Sequence, residues 1–102
     1  MTEEHRLVRE TERGRQAQAV FESPIFREAV DGLREQLLTE WRDTASRDAQ
    51  GREQLWLAQN LLQKIEAHIV QTMTTGSMAK LQLQTRRTAL ERASNWMRGR
   101  WD

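Results

Sequence analysis

Few side chains in this chain are suited to acid–base or nucleophilic chemistry. The two histidines are His5, in an acidic N-terminus, and His68, in a stretch with helical periodicity. A general base needs a titratable partner in a sheltered pocket, and Glu66, two residues from His68, falls on another face of a helix. Lys64 and Lys80 have no phosphate-binding glycine loop beside them. The sequence therefore predicts a protein that is not an enzyme, with no catalytic residues and no small-molecule substrate.

Metal binding has no motif in the sequence either. The chain of 102 residues has no cysteine, so that a thiolate site and a disulfide framework are both excluded. No His-x-x-x-His or His-Glu-x-x-His spacing occurs, and a metal site would need ligands from separate helices or chains. We expect no metal and no cofactor, and we interpret His68 as an ordinary boundary or surface histidine.

The residue types that best suit macromolecular binding are concentrated at the C-terminus. Residues 1–80 carry 11 basic and 13 acidic side chains, whereas residues 81–102 carry 5 basic and 2 acidic ones. Arginine pairs bidentately with carboxylate or phosphate, and Trp and Arg are enriched at interface hot spots. We predict a segment that docks on a protein. Nucleic acid is the weaker alternative, since three net positive charges release few counterions. The predicted docking residues are Arg86, Arg87, Arg92, Trp96, Arg98, Arg100 and Trp101.

The elements that must position these residues are all helical. Pro24 and five glycines are the only strong breaks, and helix-forming residues fill the intervals between them. No alternating apolar run indicates a strand. We therefore predict an all-α fold in which residues 1–102 form a single domain. No run approaches 18 apolar residues and the N-terminus is acidic, so we expect no membrane span and no signal peptide.

A long antiparallel helical hairpin over residues 24–75 is the main predicted element. Ser23 and Pro24 form a typical N-cap with proline in the first turn. Polar residues 43–51 form the turn, and we expect Trp41 and Trp56 to pack as core or clamp residues near it. Gly76 is placed where a left-handed residue would end the second helix.

Two further helices flank the predicted hairpin. Residues 1–22 contain a weaker N-terminal helix, capped by Thr2, whose thin apolar face is interrupted by Gly14. Residues 77–102 contain a basic C-terminal helix or tail that Ser77 can cap. In this segment Leu83, Leu90 and Met97 recur every seven residues.

A chain of this length is too short to bury these apolar faces fully, so the sequence predicts a homo-oligomer. The hairpin would be the self-association element. Its central residues are Leu33, Leu37, Leu62, Ile65 and Ile69.

The central region resembles a family of small helical proteins of unknown role that tailed bacteriophages encode. The similarity covers roughly residues 20–83 and supplies no catalytic residues. It is carried by Ser23-Pro24-Ile25-Phe26, Ala29, Leu33, Trp41-Arg42-Asp43-Thr44, Asp48-Ala49-Gln50-Gly51-Arg52-Glu53, Leu55-Trp56, Thr75-Gly76-Ser77 and Ala79-Lys80-Leu81. This resemblance implies a phage origin and a place in head assembly, packaging or the virion.

We therefore expect a non-catalytic helical interaction protein that self-associates and docks on another phage structural protein, in the virion or the host cytoplasm. One alternative is a nucleic-acid-binding protein that acts through the basic segment during packaging or regulation. A further alternative is a phage inhibitor of a host enzyme or defence complex, although the mixed charge lacks a strongly acidic, DNA-like surface.

Overall fold

Three α-helices make up the computed structural model, which describes residues 2–101 and the side chains of residues 2–99. The helices are α1 (Glu3–Phe21), α2 (Pro24–Asp43) and α3 (Ala49–Trp101). No strand occurs in residues 2–101. The prediction of an all-α fold is confirmed. None of these helices is long and apolar enough to cross a membrane.

The first two helices begin at the predicted caps. The His5 backbone N–H donates to Thr2 Oγ1 over 3.3 Å at the start of α1. At the start of α2, Ser23 has extended backbone angles and its Oγ accepts from the Phe26 N–H over 3.5 Å. Both side chains satisfy an N–H group that the first helical turn leaves without a partner.

The third helix differs from the prediction because it continues through Gly76. Asp48 caps its start by accepting from the Gly51 N–H over 3.0 Å, and the helix then runs for 53 residues. The predicted helix end at Gly76 and the predicted new start at Ser77 are therefore wrong. Within the described residues no glycine has a positive φ, so Gly76 does not act as a left-handed cap.

The chain forms two compact units. The terminal unit consists of the described residues of Met1–Gln16 and Thr72–Asp102, and the central unit is Ala17–Gln71. Each unit therefore combines segments from different helices.

The terminal unit is built on a close crossing of two glycines. An ideal Cβ on Gly14 would lie 2.6 Å from Gly76 Cα, and one on Gly76 would lie 2.6 Å from Gly14 Cα. Leu7, Ala79 and Leu83 form the buried cluster of this unit, at 1%, 2% and 6% exposure. Gly76 is needed here because only a residue without a side chain allows the two backbones to approach so closely.

The central unit brings α2 into contact with the first part of α3. Arg34 forms an ion pair with Glu66, while Trp41, further along α2, stacks with Arg52, which precedes Glu66 in α3. Val30 and Leu62 are the buried apolar residues of this unit. Both side chains contribute to packing within the chain.

Candidate interaction surfaces

An apolar cleft lies between α2 and α3 in the central unit. Its volume is about 380 Å³. Trp41 is 36% exposed and Trp56 is 58% exposed, so that both indoles remain partly open to solvent. The residues that line this surface, hereafter the tryptophan cleft, are Arg34, Leu37, Leu38, Trp41, Leu55, Trp56 and Gln59. Trp41 and Trp56, which we expected to pack as core or clamp residues, both line an accessible surface. Trp56 is not a core residue.

Arginine side chains make contacts along one side of the tryptophan cleft. The Arg52 guanidinium lies 3.8 Å from the centroid of the Trp41 ring, which is close enough for a cation–π interaction. Arg52 also donates to the Thr44 carbonyl oxygen over 3.4 Å. Arg34 pairs with Glu66 and lies 3.5 Å from an Asp31 carboxylate oxygen. The arginines beside the cleft are therefore already engaged within the chain.

The five predicted self-association residues differ in their exposure. Leu62 is 8% exposed and contributes to packing within one chain, so it is not available at a surface between chains. Leu37 and Ile69 are half-buried. Leu33 and Ile65 are 46% and 48% exposed. Of the predicted set, Leu33 and Ile65 are the residues most accessible to a second molecule.

Every described side chain from residue 84 to residue 99 is exposed, and this segment is hereafter the C-terminal tail. It contains Arg86, Arg87, Arg92, Trp96 and Arg98 of the predicted docking residues, with Trp96 at 63% exposure. The side chains of the other two, Arg100 and Trp101, lie outside those that the structure describes.

The tail arginines do not form one stripe along α3. An α-helix turns by about 100° per residue, so Arg87 and Arg98, eleven positions apart, share a face. Arg86 and Arg92 point about 100° and 140° away from that face. The positive charge therefore surrounds the tail on several sides.

An apolar strip does run along one face of the tail. Leu83, Leu90 and Met97 follow at seven-residue spacing, which keeps them near one face of the helix. Leu83 is 6% exposed, whereas Leu90 and Met97 are 70% and 55% exposed. Ala93 completes the strip between them. Leu90, Ala93 and Met97 are hereafter the tail strip.

The start of α1 explains why the tail strip is uncovered. Leu7 of α1 packs with Leu83 of α3. Glu3 is the first residue of α1, and its carboxylate interacts electrostatically with Arg86. A hydrogen bond from the Arg6 guanidinium, together with the charges of Arg6 and Arg86, holds the pKa of the Glu3 carboxyl below its ordinary value. Helix α1 thus begins beside Arg86, and the tail extends past it.

Potential metal ligands do not cluster in the described part of the chain. No group of three or more potential metal ligands occurs among those residues. His68 is exposed and takes part in an interaction within the chain. Its position agrees with the interpretation of an ordinary surface histidine.

Comparison of the chain with protein-family models, with curated proteins and with solved structures finds no match.

Proposed function

We propose that this protein is a non-catalytic helical interaction protein that self-associates and docks on another protein. The resemblance to small phage proteins supports a role in phage assembly or the virion. The tryptophan cleft, the exposed residues Leu33 and Ile65, and the C-terminal tail are its contact surfaces. The helical hairpin is proposed to present the first two of these, and the basic end of α3 the third.

The observation that carries this proposal is the large apolar surface that one chain leaves exposed. Among the described residues, 16 large apolar side chains are exposed and 5 apolar residues are buried. The accessible surface is 8455 Å². A folded monomer of 12.0 kDa exposes about 6,000 Å². Exposed apolar side chains in this number support a role in binding other molecules.

Substitution of the accessible hairpin residues tests the self-association. We expect the double variant Leu33→Gln/Ile65→Gln to weaken self-association by about tenfold or more, because buried apolar anchors dominate binding energy. Sedimentation velocity over a concentration series measures this change. Since both side chains are about half exposed in one chain, circular dichroism should show unchanged helix content.

Ile25→Gln is the matched control. Ile25 is 71% exposed and lies in α2 outside the proposed contact. Loss of the Ile25 side chain should leave the self-association constant unchanged. Equal weakening by the control and the double variant would contradict the specific role of Leu33 and Ile65.

Nucleic acid is the second candidate partner, since the tail arginines are exposed on several sides of the helix. Binding through phosphate contacts must weaken steeply with salt. Filter binding of duplex and single-stranded DNA at two salt concentrations would show this slope. Absence of binding at low salt would eliminate this candidate and leave protein docking.

A further inference from the structure

The tail strip and the tryptophan cleft are two uncovered apolar surfaces, one on a single helix and the other concave. The strip is a ridge on one helix, with Leu90 and Met97 as its largest side chains. The cleft is a groove between two helix segments, lined mainly by leucine and tryptophan. A helix that lies in a groove between two others buries its apolar strip on both, as in helical bundles.

The net charges of the C-terminal tail and of the unit that contains the cleft are opposite in sign. The C-terminal tail carries four arginines and one glutamate, a net charge of +3. The central unit, which contains the cleft, carries six basic and nine acidic residues, a net charge of −3. Opposite net charges favour encounter of these two segments, whereas two tails would repel each other.

We propose that the C-terminal tail of one copy lies in the tryptophan cleft of a second copy, with Leu90 and Met97 against Trp41 and Trp56. This inference rests on the proposed self-association and names a contact for it. The chain carries both halves of the interface, so the contact is head-to-tail. Such a contact builds a ring or an open chain of copies.

An open chain of copies has a consequence for docking. One tail and one cleft stay uncovered at its two ends. The uncovered tail at one end is then the surface on which the second protein of the proposed function docks.

Mixing two defective variants tests this contact in the full-length protein. The tail variant is Leu90→Glu/Met97→Glu and the cleft variant is Trp56→Glu, and all three positions are more than half exposed. Both are made in the Leu33→Gln/Ile65→Gln background, which removes the other proposed contact. We expect each variant alone to be monomeric, with self-association weakened at least about tenfold.

An equimolar mixture should restore association, because it contains one intact tail and one intact cleft. Sedimentation velocity should then show a 1:1 species of about twice the 12.0 kDa mass of one chain. Rising salt should weaken this species, since opposite charges contribute to it. Failure of the mixture to associate would overturn the proposal.

Two controls separate this result from general effects of added charge. Leu81→Glu adds one negative charge at a 63% exposed leucine of α3 outside the strip, and Gln71→Glu adds one at an exposed residue outside the cleft. Both should associate like their shared background. Persistence of self-association in the tail or cleft variant would overturn the head-to-tail contact and leave the proposed function standing. A monomeric parent protein would instead contradict the proposed function itself.

Discussion

Four glycines lie inside helices but have different surroundings. Gly14 and Gly76 meet backbone to backbone, whereas a Cβ on Gly32 or Gly99 would meet nothing within 4 Å. Glycine inside a helix costs about 0.5–1 kcal/mol relative to alanine. At Gly14 and Gly76 the close crossing offsets that cost, and at Gly32 and Gly99 no packing contact does.

Alanine substitutions at these glycines should therefore change stability in opposite directions. We expect Gly14→Ala or Gly76→Ala to lower the free energy of unfolding by about 1–3 kcal/mol, because the added methyl group pushes the backbones apart. Gly32→Ala, the control, should raise it by about 0.5–1 kcal/mol. Urea denaturation at one protein concentration measures both. A stabilising effect of Gly14→Ala would contradict the close crossing.

The carboxyl of Glu3 gives the terminal unit a pH dependence. Its pKa in the folded chain is lowered below the ordinary 4.5, chiefly by the hydrogen bond from Arg6. The stabilisation is therefore complete above the ordinary pKa and is lost as the pH falls through the lowered one. We expect Glu3→Gln to reduce the fall in thermal midpoint on acidification below about pH 4.5.

Glu4→Gln is the control for this effect, because it removes the same charge from the same first turn of α1. An identical acid response in both variants would show that the helix dipole, and not the contact with Arg6 and Arg86, accounts for the pH dependence.

At the scale of the helices, the starts of α1 and α2 could be predicted and one end could not. Thr2 and Ser23 are the predicted caps of these helices, and Asp48 caps α3 through its side chain. Gly76 has two opposite interpretations, a left-handed cap or a site of close approach. The choice depends on Gly14, 62 residues earlier, and local sequence cannot specify that contact. The available signal for a close approach was Gly14, which also lies inside a predicted helix.

Proline at residue 78 tests the continuity of α3. If a helix began at Ser77, proline at this position would occupy its first turn and be tolerated, as Pro24 is in α2. In a continuous helix it removes a backbone hydrogen bond and costs about 3 kcal/mol. We expect Met78→Pro to lower helix content and stability in circular dichroism melts.

The control is Met78→Ala, which removes the side chain and keeps the helix. Met78 is 59% exposed, so this change should have little effect on stability. Equal melting temperatures for the proline and alanine variants would contradict a continuous α3.

At the scale of the whole molecule, composition predicted one of the candidate surfaces and missed another. The charge asymmetry of the sequence indicated the tail arginines, and the structure shows that they and Trp96 are exposed. Periodicity placed Leu33 and Leu62 together in the predicted self-association set, but it could not tell that Leu62 is buried and Leu33 is half exposed. The tryptophan cleft requires the register between α2 and α3, which the Arg34–Glu66 and Trp41–Arg52 contacts set.

The molar mass of the wild-type protein in solution tests the central claim of self-association most directly. Light scattering after size exclusion, from low to tens of micromolar protein, should give a mass that rises with concentration to at least twice 12.0 kDa. This is expected because one chain leaves Leu33, Trp56, Ile65, Leu90 and Met97 exposed. A constant mass of 12.0 kDa over the whole range would contradict the account.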